Sequence, residues 1–130
     1  MRAIFIEESG STPKIELDRD SGVFRIVGKS FPEDVKSFYI PVIDWIQQYV
    51  QDPNNETLFE FSLEYFNTAS SKMLLVMLSQ LKEIQKQEKK ITVLWRYPEN
   101  DIEIEDAGIE FSEVINIPFI FRRVSNSSTL

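Results

Sequence analysis

The stretch Phe66-Asn-Thr-Ala-Ser-Ser-Lys72 places four small polar side chains (Asn67, Thr68, Ser70 and Ser71) within five positions. Alternating strand residues precede it, and apolar residues at helical spacing follow it, which puts it at the start of a helix. The first-turn amides of a helix are unpaired donors, and the helix dipole favours an anion beside them. Backbone N–H groups there hold a phosphate, and Thr68 is placed to carry that phosphate covalently. Lys72 points the same way: a cation in a first helical turn opposes the dipole, and a nearby anion offsets that cost. A plainer reading competes. Asn67, Thr68, Ser70 and Ser71 are all good helix caps, and on spacing alone capping is the commoner role.

Other chemistry is scarce. The 130 residues include no cysteine and no histidine. That removes thiolate nucleophiles, disulfides, imidazole proton shuttles and His- or Cys-ligated metals. An enzyme is therefore not expected, nor is a cofactor or a metal. The acidic group Glu99, Asp101, Glu103, Glu105, Asp106, Glu110 and Glu113 lacks calcium-loop spacing and reads as a solvated helix flank. Nothing in the pattern sets two carboxylates in a pocket for glycoside hydrolysis. The four glycines, Gly10, Gly22, Gly28 and Gly108, are isolated, so there is no glycine-rich phosphate loop. Trp45, Tyr49, Trp95 and Tyr97 sit at periodic spacings that favour a core role over a ligand pocket.

Whole-chain properties narrow the partners. A net charge of −7 argues against nucleic acid and against an anionic membrane surface. The N-terminal residues do not read as a signal peptide, and no apolar run is long enough to span a bilayer. The expected location is the cytoplasm. With 42% apolar and 27% charged residues, the composition is that of one folded domain over residues 1–130.

The elements that must position Thr68 follow from hydrophobic period. A short strand is possible at Ala3–Ile6. Lys14–Gly28 reads as a hairpin around Asp18-Arg-Asp-Ser-Gly22. Ser30–Asp52 reads as a helix with Ser30 and Glu33 as a capping box and a kink or break at Pro41. Thr57–Phe66 alternates as a strand with Phe59, Phe61, Leu63 and Tyr65 on one face. Met73–Ile84 is helical, Lys90–Tyr97 a strand, Asn100–Val114 an acidic helix and Pro118–Val124 a last strand. The tail from about residue 125 is expected to fray. Alternating strands and helices imply an α/β fold with a mixed, mostly parallel sheet, an N-terminal hairpin and helices packed on it.

This order resembles the STAS domain of anti-sigma-factor antagonists, in which a phosphorylated serine lies between a strand and a helix in an Asp-Ser-Ser-Gly run. Here Asn67 stands for the Asp and Thr68 for the phosphorylated Ser, while no glycine opens the helix. The chain is more similar still to the SiaC family of bacterial regulatory phosphoproteins along nearly its whole length. Ser11-Thr-Pro13 with Ile15, Gly28-Lys-Ser-Phe-Pro-Glu33, Pro41-Val-Ile-Asp-Trp45, Tyr65-Phe-Asn-Thr68 with Ser70, Ser71 and Lys72, and Leu94-Trp95-Arg-Tyr97 carry the resemblance. Ala69 stands where that family usually has Ser.

The resemblance implies a phosphorylation switch. A cognate protein kinase would phosphorylate Thr68 and a PP2C-type phosphatase would remove the phosphate. The unphosphorylated form would bind and activate a diguanylate cyclase, in cyclic-di-GMP signalling and biofilm regulation, and the phosphorylated form would not. A phosphate adds about −1.5 to −2 charges to a chain already negative. It would repel an acidic partner, desolvate badly in an apolar interface, or re-order the helix start through the amides of Ala69 to Ser71. Asn67, Ala69, Ser70, Ser71 and Lys72, with Leu75, form the expected phosphate or partner contact. The alternative is a small-molecule or anion-binding domain that takes its ligand without covalent phosphorylation.

Overall fold

The computed structural model describes residues 1–125, so the expected fraying of the tail falls almost wholly outside the described residues. Six strands and three helices alternate: β1 (Ile4–Ile6), β2 (Lys14–Asp18), β3 (Val23–Ser30), α1 (Val35–Tyr49), β4 (Glu56–Phe66), α2 (Thr68–Gln85), β5 (Lys90–Pro98), α3 (Ile102–Ile115) and β6 (Phe119–Val124). They form one sheet in the order β1-β2-β3-β4-β5-β6. β1, β2 and β3 are antiparallel neighbours; β3 through β6 are parallel. The mixed, mostly parallel sheet with a leading hairpin is thus as the hydrophobic period predicts.

Period-2 alternation sorts each central strand into two faces. Ile15, Leu17, Phe24, Ile26, Phe59, Phe61, Ile91, Val93 and Trp95 are buried in one core with the apolar stripes of the three helices. The aromatics Trp45, Tyr49, Trp95 and Tyr97 are part of this core. Trp95 is held there by its indole N–H, which donates to the Ile104 carbonyl at 3.0 Å, and by Gly108, where a Cβ would press into the indole ring. Among the described residues, no helix lies over the opposite sheet face. That face carries a charge ladder across neighbouring strands, with Arg25 3.7 Å from Glu16 and 3.5 Å from Glu60, and Arg96 3.6 Å from Glu60.

Two helix starts and one expected helix break differ from the sequence reading. Ser30 is not a helix cap: it is the fully buried last residue of β3. Phe31-Pro-Glu33 then crosses to α1, because a residue before proline is steered away from helical geometry. The cap is Asp34, whose carboxylate accepts from the Ser37 amide at 3.1 Å and the Ser37 hydroxyl at 2.8 Å. Those bonds, the hydroxyl first, hold its pKa below the ordinary carboxylate value. Pro41 does not break α1, which runs as one helix from Val35 to Tyr49. Its missing N–H costs a bond near the exposed face, and the packing of Tyr39, Val42, Trp45, Ile46 and Tyr49 holds the helix together. α2 begins at Thr68, five residues before the apolar period does, because polar cap residues form its first turn.

Candidate functional site

The strand-to-helix junction between β4 and α2 is built from the core outward. β4 alternates cleanly up to Leu63 and then changes phase. The register with β3 shifts at Gly28/Lys29, where Gly28 takes a positive φ and a Cβ would meet Glu8 Oε2 at 2.6 Å. The shift turns Tyr65 out, so it does not share the buried face of Leu63 as its alternation predicts; it is 50% exposed. Phe66 turns in instead and meets Trp95 edge-on, with centroids 6.2 Å apart. Exposed Tyr65 packs edge-on against exposed Phe31, with centroids 5.8 Å apart. This apolar pair escapes a period-based reading because only the register shift exposes it.

Asn67 is the N-cap of α2. Its side-chain oxygen accepts from the Ser70 amide at 2.8 Å, and its carbonyl accepts from the Ser71 amide at 2.9 Å. Its own amide donates to the Ser30 carbonyl at 3.0 Å. Thr68 is the first helical residue and is exposed. Of the three amides placed by the sequence around a phosphate, those of Ser70 and Ser71 are therefore already bonded within the protein. The amides of Thr68 and Ala69 have no acceptor among the described residues, as expected for a first helical turn.

The side chains diverge. Lys72 is exposed, and Asn67, Ala69, Ser71 and Leu75 are partly exposed. Ser70 is fully buried and faces inward, so its side chain is withdrawn from the surface and serves the interior. Its hydroxyl accepts from the Ser30 hydroxyl at 2.8 Å, and Ser30 in turn lies 2.6 Å from the Tyr39 hydroxyl. Ser30 and Tyr39 were hidden in the sequence as a supposed cap and as one member of an apolar stripe. The only signal was a hydroxyl on each of two core-facing positions.

The rest of the surface offers less. A groove of about 530 Å³ lies between α1 and α2, lined in part by Gln47, Leu75, Val76 and Gln80. Among the described residues no group of acidic side chains is arranged to hold a metal ion, and no helix is long and apolar enough to cross a membrane. The acidic residues of α3 act locally: Asp101 caps the helix through the Ile104 amide at 3.1 Å, and Glu105 accepts from the Tyr97 hydroxyl at 2.9 Å.

Residues 6–124 match the model of the SiaC family regulatory phosphoproteins. An uncharacterised protein of Pseudomonas aeruginosa (strain UCBPP-PA14) is 28% identical over 119 residues, covering 92% of this chain and 94% of that one. The solved structure of SiaC of Pseudomonas aeruginosa is 27% identical, with a TM-score of 0.84 over 95% of this chain and 100% of that chain. A crystal structure described as the diguanylate cyclase SiaD in complex with its activator SiaC, also from Pseudomonas aeruginosa, aligns with a TM-score of 0.85 at 26% identity, over 93% of this chain and 99% of that chain. The chain belongs to the SiaC family of regulatory phosphoproteins.

Proposed function

We propose that this SiaC-family protein is a cytoplasmic signalling module, not itself an enzyme, switched by reversible phosphorylation of Thr68. The observation that carries the reading is the exposed first residue of α2 on an otherwise satisfied cap. In the forward step the Thr68 hydroxyl oxygen bonds to the γ-phosphorus of ATP, the bond to the β–γ bridging oxygen breaks, and ADP leaves. The hydroxyl proton passes to a base of the kinase. In the reverse step a PP2C-type phosphatase uses water to release inorganic phosphate and restore the hydroxyl.

The unphosphorylated protein binds a partner and activates it, and a diguanylate cyclase is the partner class that the related SiaD–SiaC complex supports. Phe31 and Tyr65 supply apolar surface at this end of the sheet, and Asn67, Ser71 and Lys72 supply polar contacts. A phosphate on Thr68 adds about −1.5 to −2 charges there. The amides of Thr68 and Ala69 are the donors free to meet it. The phosphate therefore changes both the charge and the polar bonding of the patch, and the readout is binding.

Incubation with the cognate kinase and Mg-ATP, followed by site mapping, tests the site: wild type gains one phosphate on Thr68 and Thr68→Ala gains none. Phosphate on another residue, with Thr68 untouched, overturns the assignment. Titration against the purified cyclase tests the switch. Thr68→Ala binds as unmodified wild type does, and Thr68→Asp binds at least about tenfold more weakly, a difference of ~1.4 kcal/mol. Equal affinities would remove the charge mechanism.

A further inference from the structure

Beneath Thr68 lies a chain of three hydroxyls with no solvent exposure: Tyr39 of α1, Ser30 at the end of β3 and Ser70 of α2. A hydroxyl has one proton to give, and Ser30 gives its proton to Ser70. Tyr39 is therefore the donor to Ser30. Burial pushes the Tyr39 phenol up to about 12, which keeps that donor protonated.

The chain grips the start of α2 on both sides of Thr68. Asn67, one residue before, donates its amide to the Ser30 carbonyl; Ser70, two residues after, accepts from the Ser30 hydroxyl. One strand residue thus ties down both flanks of the first turn, which is the part of a helix that otherwise frays. Stability alone does not ask for hydroxyls here, since an apolar trio of similar shape would fill the space with nothing to satisfy. Hydroxyls bonded in series accept one arrangement and lose their pairing when any member moves.

We infer that Ser30 and Tyr39 are positioning residues for the reaction at Thr68, holding the first turn of α2 so that the Thr68 hydroxyl is presented to the incoming γ-phosphoryl group. The inference rests on Thr68 being the phosphorylated residue. In-line transfer needs the attacking oxygen about 3–3.5 Å from phosphorus and correctly aimed, so a loosened turn slows the transfer step more than it weakens docking.

The test is a kinetic split. Initial rates with the cognate kinase and saturating Mg-ATP are measured over a range of protein concentrations for wild type, Ser30→Ala and Tyr39→Phe. The temperature is one at which circular dichroism shows each fully folded. Ser30→Ala, which removes both hydroxyl bonds and keeps the carbonyl that holds the Asn67 amide, lowers kcat about tenfold; Tyr39→Phe, which removes one hydroxyl bond, lowers it about threefold; KM stays within about twofold. Hydrogen exchange at the Asn67 amide quickens in Ser30→Ala. Should Ser30→Ala not fold, Tyr39→Phe and Ser70→Ala carry the same comparison. Wild-type kcat in the folded variants, or a change confined to KM, overturns the positioning role and leaves the switch intact. Wild type that takes no phosphate on Thr68 overturns the switch and this inference together.

Discussion

Tyr39 shows how a single group can both fill the core and carry a buried hydrogen bond. Its ring is buried with the apolar stripe of α1, while its hydroxyl is bonded to Ser30. An ordinary tyrosine titrates near 10, and this one is pushed up to about 12 by burial. Below about pH 10 the phenol is protonated in both folded and unfolded chains and has no pH effect. Between about 10 and 12 only the unfolded chain releases the proton, so stability falls as pH rises, by ~3 kcal/mol across the window. Urea midpoints taken at about pH 9 and about pH 11 should therefore drop further in wild type than in Tyr39→Phe. Equal drops would mean that Tyr39 is not the group responsible. At this scale the sequence was readable where a residue type is rare in its context, as with the hydroxyl run at Asn67–Ser71. It was not readable where a polar atom hides on an apolar period, as at Ser30 and Tyr39. Nothing local distinguishes a tyrosine that merely fills space from one whose hydroxyl has a partner nine residues away.

Among the elements, α2 depends most on its first turn. Hydrophobic period dates the helix from Met73, yet it begins at Thr68 because the Asn67 side chain takes up the Ser70 amide. Asn67→Ala removes that acceptor and is expected to cost ~1 kcal/mol in denaturant unfolding. Asn67→Asp keeps the acceptor, adds charge at the positive end of the dipole, and should match or exceed wild-type stability. If Asn67→Ala unfolds at the wild-type midpoint, the cap contributes nothing and α2 is set by packing alone. The same reasoning explains the misplaced start of α1. Ser30 and Glu33 have capping-box spacing, but Pro32 between them favours extended backbone, and Asp34 with Ser37 supplies the working cap. Element types were legible because period 2 and period 3.6 differ plainly; boundaries were not, because polar caps carry no period. Tyr65 is a related case: its alternation is intact in the sequence, and only a shift in the pairing with β3, which skips Glu64, exposes it.

For the whole molecule, alternation of strands and helices was enough to read the mixed sheet, but not what its uncovered face would do. There Glu60 keeps a side-chain exposure of only 14% between Arg25 and Arg96. Glu60→Gln leaves two guanidinium groups facing each other without their shared carboxylate. Its cost should fall between the ~1 kcal/mol of an exposed ion pair and the ~3–5 kcal/mol of a buried one, and should shrink as salt is added. A salt-independent loss, measured by denaturant unfolding at low and high ionic strength, would point to packing and not charge. The strand order has a consequence of another kind. Each strand after the first pairs with the one translated just before it, so no strand must wait for a partner distant in the chain. The groups that tie down Thr68 lie between Ser30 and Ser70, on elements made in succession. These bonds need no residue after Ser70, but Phe66 beside them packs on Trp95, so the junction is complete only once β5 has been made.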